Sequence, residues 1–180
     1  MADESDIIKL VNEGAKGLWE IVKDGQPSTS AKTKYVQVMP SKAQVAWDEL
    51  GGWKKVEFDW NFRKYSKMDQ LMGWDPSIDI DLHLEFQWGG QSKKAKGMFL
   101  DNFVVWCVKA HADWGWTVNV NASTTGNPVN LKTPQDPVGS IQLQVNLDYH
   151  SRLRSESHTW AITAGADGSF KPKPTSIVDK

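Results

Sequence analysis

Apolar residues occupy every second position over long stretches of this chain, first from Val56 to Phe62 and again from Ile78 to Trp88. Successive side chains of a β-strand point to opposite faces, so this pattern predicts strands with one buried and one wet face. Further strands are predicted at 35–38, 99–110, 114–122, 141–149 and 159–164. Six or more strands with turns rich in Gly, Pro, Asn and Asp between them favour an antiparallel β-sandwich.

The N-terminus follows a different period, with apolar residues recurring at steps of three and four. This stripe predicts one amphipathic α-helix over residues 5–24. It contains Ile7, Ile8, Val11, Leu18, Trp19 and Val22. The segment 103–108 is apolar on both faces, and the helix is a suitable cover for its outer side.

The same helix is a candidate membrane segment, because its apolar stripe would suit a lipid interface if the helix detached from the sheet. Residues 3–24 contain six acidic residues and three lysines, however, which is the wrong sign for anionic lipid. A helix docked on the sheet is therefore the favoured alternative.

The length of 180 residues fits a single domain. Within it we expect a flexible connection at 26–34, the sandwich at 35–170 and a loose tail at 171–180. The formal net charge of -1 gives no general attraction to nucleic acid. The acidic start lacks the features of a secretory signal, which predicts synthesis in the cytoplasm, with release by a non-classical route as an alternative.

Ten tryptophans are unusual for this length, and they suit either half-buried strands or binding surfaces. Strand parity predicts that Trp60, Trp88, Trp114, Trp116 and Trp160 point inward. The candidates for ligand contact are Leu71, Met72, Trp74, Trp47 and Trp53.

Residues 68–76 concentrate large apolar groups in a predicted connection, where they would form an exposed apolar tip. The favoured alternative is a single helical turn that directs Met68, Leu71 and Met72 inward and ends at Gly73.

Asp79, Asp81, His83 and Glu85 share one face of the Ile78–Trp88 strand and are candidates for hydrolase chemistry, although a regular polar row is first of all a solvated face. Amide rows follow two other strands, Gln142 to Asp148 and Asn119 to Asn121, and suit sugar hydroxyls or another subunit, although an ordinary solvated sheet surface is the favoured alternative. The sequence has no nucleophile elbow, phosphate-binding glycine motif or metal-ligand spacing, so we predict no catalytic residue, metal or cofactor.

An N-terminal amphipathic helix followed by an aromatic-rich sandwich resembles the actinoporin-type pore formers in outline, without a match to their aromatic loop or binding motifs. The leading prediction is a non-enzymatic, toxin-like and membrane-active protein that contacts lipid or glycan through loop aromatics. The alternatives are a structural or self-assembling protein and, third, a hydrolase.

Overall fold

The computed structural model describes residues 8–10, 16–23, 26–27, 36–40, 49–94 and 96–179. Over these ranges the protein is mainly β, with one short helix, α1 (Lys67–Met72). The strands are β1 (Ile8–Leu10), β2 (Lys16–Lys23), β3 (Gln26–Pro27), β4 (Val36–Pro40), β5 (Lys54–Lys64), β6 (Ile78–Gly90), β7 (Phe99–Ala112), β8 (Thr117–Thr124), β9 (Val129–Asn130), β10 (Gly139–His150), β11 (Ser155–Gly165), β12 (Phe170–Lys171) and β13 (Ile177–Asp179).

The strands form two sheets. A six-stranded sheet has the order β1-β4-β7-β6-β5-β13, and a seven-stranded sheet has the order β12-β11-β10-β8-β2-β3 with β9 also paired to β10. The long neighbours within each sheet run antiparallel, and β13 joins β5 in parallel.

The two sheets share one hydrophobic core. The inward faces of the long strands supply it, and aromatic pairs join strands of different sheets: the Trp60 and Trp160 rings lie 5.8 Å apart, and those of Phe62 and Tyr149 lie 5.1 Å apart. Edge-to-face and tilted ring contacts of this kind add stabilisation beyond the apolar area that they bury.

The alternation of the sequence located the long strands correctly. β5, β6, β7, β10 and β11 each include the predicted segment and extend it by one or more residues. The tail was predicted to be loose, but Ile177–Asp179 pairs with β5 and adds an edge strand to the six-stranded sheet. This pairing satisfies backbone groups of β5 that would otherwise lie at an open sheet edge.

The predicted N-terminal helix is wrong over the residues that can be compared. Ile8 lies in β1, and Leu18, Trp19 and Val22 lie in β2, which pairs with β8. Ile7, Val11 and the connection at 28–34 lie outside the described residues. Sheet pairing overrides helical periodicity here, because β8 has hydrogen-bonding groups on both of its edges, and Gly17 weakens the helical alternative.

The outer side of 103–108 therefore has a different cover from the one predicted. The imidazole of His83 packs on Trp106 with ring centres 4.3 Å apart, and Val108 is exposed. Across the described part of the chain, no helix combines the length and apolarity needed to span a bilayer.

Candidate functional site

Three connections leave the same end of the two sheets. The segment 65–77 joins β5 to β6, 113–116 joins β7 to β8, and 151–154 joins β10 to β11. Strand register brings the ends together within each sheet, and a contact between the Trp116 and Tyr149 rings helps to close the core beneath them. We call these three connections the loop end.

Large apolar side chains are exposed at the loop end. Leu71 is 80% exposed, Trp74 57%, Trp114 84% and Leu153 97%. Met68 and Met72 are also exposed. Scattered surface leucines are ordinary, but large apolar residues on three neighbouring connections make the loop end a candidate interaction surface.

Hydrogen bonds fix the backbone of the main connection. The Ser66 amide donates to Asp69 Oδ2 at 2.6 Å, and the Asp69 amide donates to Ser66 Oγ at 3.1 Å, so the two residues form a capping box at the start of α1. Gly73 ends the helix with φ of 66°, a left-handed conformation that favours glycine. The apolar side chains of α1 are therefore displayed by an ordered turn.

Asp69 is the buried centre of this turn. Ser77 Oγ also donates to Asp69 Oδ2 at 2.5 Å. Burial alone would raise the pKa of Asp69, but the hydrogen bonds from Ser77 and Ser66 outweigh it and hold the pKa below its usual value. The carboxylate is thus ionised at neutral pH and ties the start of α1 to the start of β6.

We expect Asp69→Ala to lower the free energy of unfolding by about 1–3 kcal/mol, because it removes the capping box and leaves the Ser77 hydroxyl without its acceptor. Urea unfolding followed by tryptophan fluorescence measures this. Asp75→Ala is the matched control, since Asp75 is exposed in the same connection, and it should change stability by less than about 0.5 kcal/mol. Equal effects of the two substitutions would contradict the assigned role of Asp69.

Two shallow grooves flank Trp74. One, of about 490 Å³, is lined by Asp69, Gly73, Trp74, Asp75, His111 and Asp113. The other, of about 590 Å³, is lined by Tyr65, Asp69, Gln70, Gly73, Trp74 and Val178. Trp74 therefore lines both depressions, and its side chain remains exposed.

The structure separates the predicted contact residues. Leu71, Met72 and Trp74 lie together at the loop end. Trp53 packs instead beside Phe99, and its ring lies against Gly90, where even a Cβ atom would come within 2.3 Å of it. Trp47 lies outside the described residues.

The helical turn ending at Gly73 was predicted correctly, but the inward direction of its apolar residues was wrong. Trp114 was also placed inside by strand parity, whereas β8 begins only at Thr117 and Trp114 lies in the preceding turn. The Asp113-Trp114-Gly115 sequence, with Gly115 at φ of 87°, was the turn signal available. No apolar pattern surrounds Leu153 in the sequence, so the sequence did not indicate it as a contact residue.

A polar cluster lies beneath the loop end, between the two sheets. Lys64 Nζ lies 2.5 Å from Asp179 Oδ2 and 3.7 Å from Glu156 Oε2. The Tyr149 hydroxyl hydrogen-bonds to Glu156 and, at 2.9 Å, to Asp179, and it lies 3.5 Å from His158 Nε2. The cluster joins β5, β10, β11 and β13.

The cluster shifts the pKa values of its acids. Lys64 is the leading cause of the lowered pKa of Asp179, and the Tyr149 hydroxyl is the leading cause of the lowered pKa of Glu156. Burial, followed by the two carboxylates, raises the pKa of Tyr149. A neutral tyrosine cannot act as a base here, so the cluster suits a structural link between the sheets.

The side chains of the row from Asp79 to Glu85 are paired with basic and other polar side chains. Asp79 contacts Arg63 at 3.0 Å and Lys109 at 2.5 Å, and Asp59 lies 2.5 Å from His83 Nδ1. The pKa of Lys109 is raised by its bond to Asp79. Asp79 is buried, whereas Asp59 is exposed. Carboxylates held by cations in this way give little support to acid and base catalysis.

Glu57, His83 and Glu85 place their potential ligand atoms within 4.8 Å of one another. The Lys55 ammonium lies between the acids, 2.5 Å from Glu57 and 2.9 Å from Glu85, and lowers the pKa of Glu57. The lysine supplies the positive charge that a metal would bring, so this group is better described as an ion-pair network. Cys107 is buried, and burial raises its pKa to about 11, which removes it as a nucleophile near neutral pH.

No protein-family model, curated protein or solved structure matches this chain.

Proposed function

We propose that this protein is a non-enzymatic β-sandwich that binds lipid bilayer surfaces by inserting its loop end into the interface. The observation that supports the proposal is the concentration of exposed leucine, methionine and tryptophan side chains on three adjacent connections of one end. Tryptophan suits this position because its ring is apolar while its N–H remains able to bond at the headgroup level.

The charges around the loop end have both signs. Lys67 and Arg152 are exposed there, as are Asp75 and Asp113. Such a mixed rim gives little net attraction to an anionic surface, and apolar burial must supply most of the affinity. We therefore propose binding to neutral and anionic bilayers alike, with weak dependence on salt.

The proposal does not include pore formation by an N-terminal helix. The segment that would have detached contains Lys16–Lys23, and these residues pair with β8 within the seven-stranded sheet. Removing them would expose the edge of β8 and its backbone hydrogen-bonding groups.

Flotation of the protein with vesicles tests the proposal. The vesicles are phosphatidylcholine alone, phosphatidylcholine with phosphatidylserine, and sphingomyelin with cholesterol. We expect the protein to float with all three and to remain bound in high salt. Absence of binding to every composition would overturn the proposal, and binding only to the anionic vesicles at low salt would show that charge rather than the loop end is responsible.

Leu71→Ala should weaken vesicle binding roughly tenfold, since the loss of a buried leucine side chain costs about 1.5–3 kcal/mol and the interface buries only part of it. Leu131→Ala is the matched control, because Leu131 is exposed near the opposite end of β10. Vesicle titration gives both affinities. An equal loss in the two variants would mean that the loop end is not the contact surface.

A further inference from the structure

Three neighbouring strands of the seven-stranded sheet, β8, β10 and β11, have an outer face of distinct composition. Over β8, β10 and β11 the inward residues, such as Val120, Leu143 and Ile162, are fully buried, and the alternate residues face away from the core. These outward residues are Asn119, Asn121, Ser123, Gln142, Gln144, Asn146, Asp148, Ser157, Thr159, Ala161 and Thr163. We call this set the neutral face, because Asp148 is the one member with a formal charge.

The other sheet provides an internal comparison. The outer face of β5 and β6 carries ion pairs such as Arg63 with Asp79 and Lys55 with Glu85. A typical soluble surface is about 25–35% charged. The neutral face departs from this composition, whereas the outer face of the six-stranded sheet follows it.

The side chains of the neutral face are held in rows. Asn146 lies opposite Asn121 on one side and Thr159 on the other, and Gln144 lies opposite Ser123 and Ala161. Asn146 Oδ1 accepts hydrogen bonds from Gln144 Nε2 at 3.0 Å and from Thr159 Oγ1 at 2.7 Å. Amides and hydroxyls offer donors and acceptors together, so the face can pair with a ligand that does the same.

From this composition and geometry we infer that the neutral face binds an uncharged polysaccharide chain. Sugar hydroxyls both donate and accept hydrogen bonds and bring no charge, which complements the amides and hydroxyls of these three strands. Charged residues occupy register positions at the borders of the face, where Lys16 and Glu20 of β2 pair with Ser123 and Asn119, and Lys171 of β12 pairs with Thr163. Asp148 would repel an acidic glycan, and nucleic acid would find no lysine or arginine among the residues of the neutral face to contact its phosphates. The inference is independent of the lipid proposal, because it uses different residues on a different surface.

The three strands form a strip that suits an extended chain. Strands about 4.8 Å apart, each contributing seven residues, cover roughly 14 Å by 24 Å, or about 340 Å². The sheet continues on both sides of this strip, with β2 paired to β8 and β12 paired to β11. An extended oligosaccharide can lie within the strip itself.

Cellohexaose, maltohexaose and chitohexaose are the test probes, and binding is measured by saturation-transfer NMR and by amide chemical-shift changes. We expect binding of at least one of them with shift changes confined to β8, β10 and β11. A hexasaccharide of uronic acids should not bind. Failure of all three neutral probes to bind, or shift changes located elsewhere, would overturn the inference.

Ala161→Lys should weaken the binding at least tenfold, since it places a long charged side chain in the middle of the face without removing a hydrogen bond. Val108→Lys is the control, because it adds the same charge at an exposed position of the other sheet. Unchanged sugar binding in Ala161→Lys would contradict the assignment. Both variants should retain vesicle flotation, so failure of the sugar site and failure of the lipid proposal can be told apart.

Discussion

Replacement of both Leu71 and Trp74 by glutamate should abolish flotation with vesicles of every composition. Each substitution removes an apolar side chain worth about 1.5–3 kcal/mol on full burial. Each also adds a carboxylate that the bilayer interface would have to accommodate at a cost. A combined loss of about 3 kcal/mol or more corresponds to an affinity lower by over roughly 100-fold.

The double variant should fold normally, because both side chains are exposed and the turn is held by other groups. The Trp74 amide donates to the Asp69 carbonyl at 2.9 Å through the backbone, and Asp69 itself is bonded by Ser66 and Ser77. A urea midpoint close to that of the unmodified protein checks this. The effect on binding can then be assigned to the surface rather than to unfolding.

A matched charge control is available at the opposite end of β10. Val129 and Leu131 are both exposed there, and the Val129→Glu and Leu131→Glu pair adds the same two charges. This control should float like the unmodified protein. If it lost binding to the same degree, general acidity would be the cause, and if the loop-end variant still floated, lipid would not be contacted through Leu71 and Trp74.

The alternation of apolar and polar residues predicted the strands well because each sheet buries one of its two faces. In β5 and β6 the buried residues fall at every second position with few interruptions, so the two-residue period of the sequence is the period of the structure. The same rule failed at Trp114, where the alternation with Val118 and Val120 continues into a turn. Parity fixes the face of a residue only while the residue remains within the strand.

The N-terminal helix failed for a different reason. Its three- and four-residue spacing is a local signal, whereas the edge of β8 that β2 pairs with is formed by residues about 100 positions later. Long-range pairing of this kind cannot be recognised from the period of one segment. The strand at Ile177–Asp179 was missed similarly, because its partner Phe62 is far away in the sequence.

The candidate site was only partly predictable. The apolar content of 68–76 indicated Leu71, Met72 and Trp74, and Gly73 indicated the end of the turn. The direction of these side chains depended on Asp69, whose carboxylate takes the buried position by bonding Ser66 and Ser77. The sequence analysis assigned the apolar residues of this turn to the interior, whereas in the structure they point outward and Asp69 is buried.

Lys64→Met should produce the largest loss of stability among single substitutions in the polar cluster. Lys64 is buried and contacts Asp179 and Glu156, so its removal leaves Asp179 without the cation that contacts it, whereas Glu156 keeps Arg154. Breaking a buried ion pair from one side costs about 3–5 kcal/mol. Urea unfolding at neutral pH measures it, and Lys94→Met is the control, since Lys94 and its partner Glu49 are both exposed and the loss of their ion pair should cost less than about 1 kcal/mol.

The stability difference between the unmodified protein and Lys64→Met should depend on pH, and the sign of this dependence follows from the pKa shifts. The pKa values of Asp179 and Glu156 are lowered in the folded protein, so their contribution is present above the unfolded values of about 4 and is lost as the pH falls through the folded values. Tyr149 and Arg154 also face these carboxylates, and His158 lies beside the Tyr149 hydroxyl.

Because Lys64 is the leading cause of the lowered pKa of Asp179, the Lys64→Met protein should have a shallower acid limb in its stability curve. The two curves should differ most at neutral pH and converge as the pH falls below about 4, where the carboxylates of both proteins become protonated. A difference that stays constant from neutral to acid pH would show that Lys64 stabilises the protein by packing its methylene groups rather than by its charge.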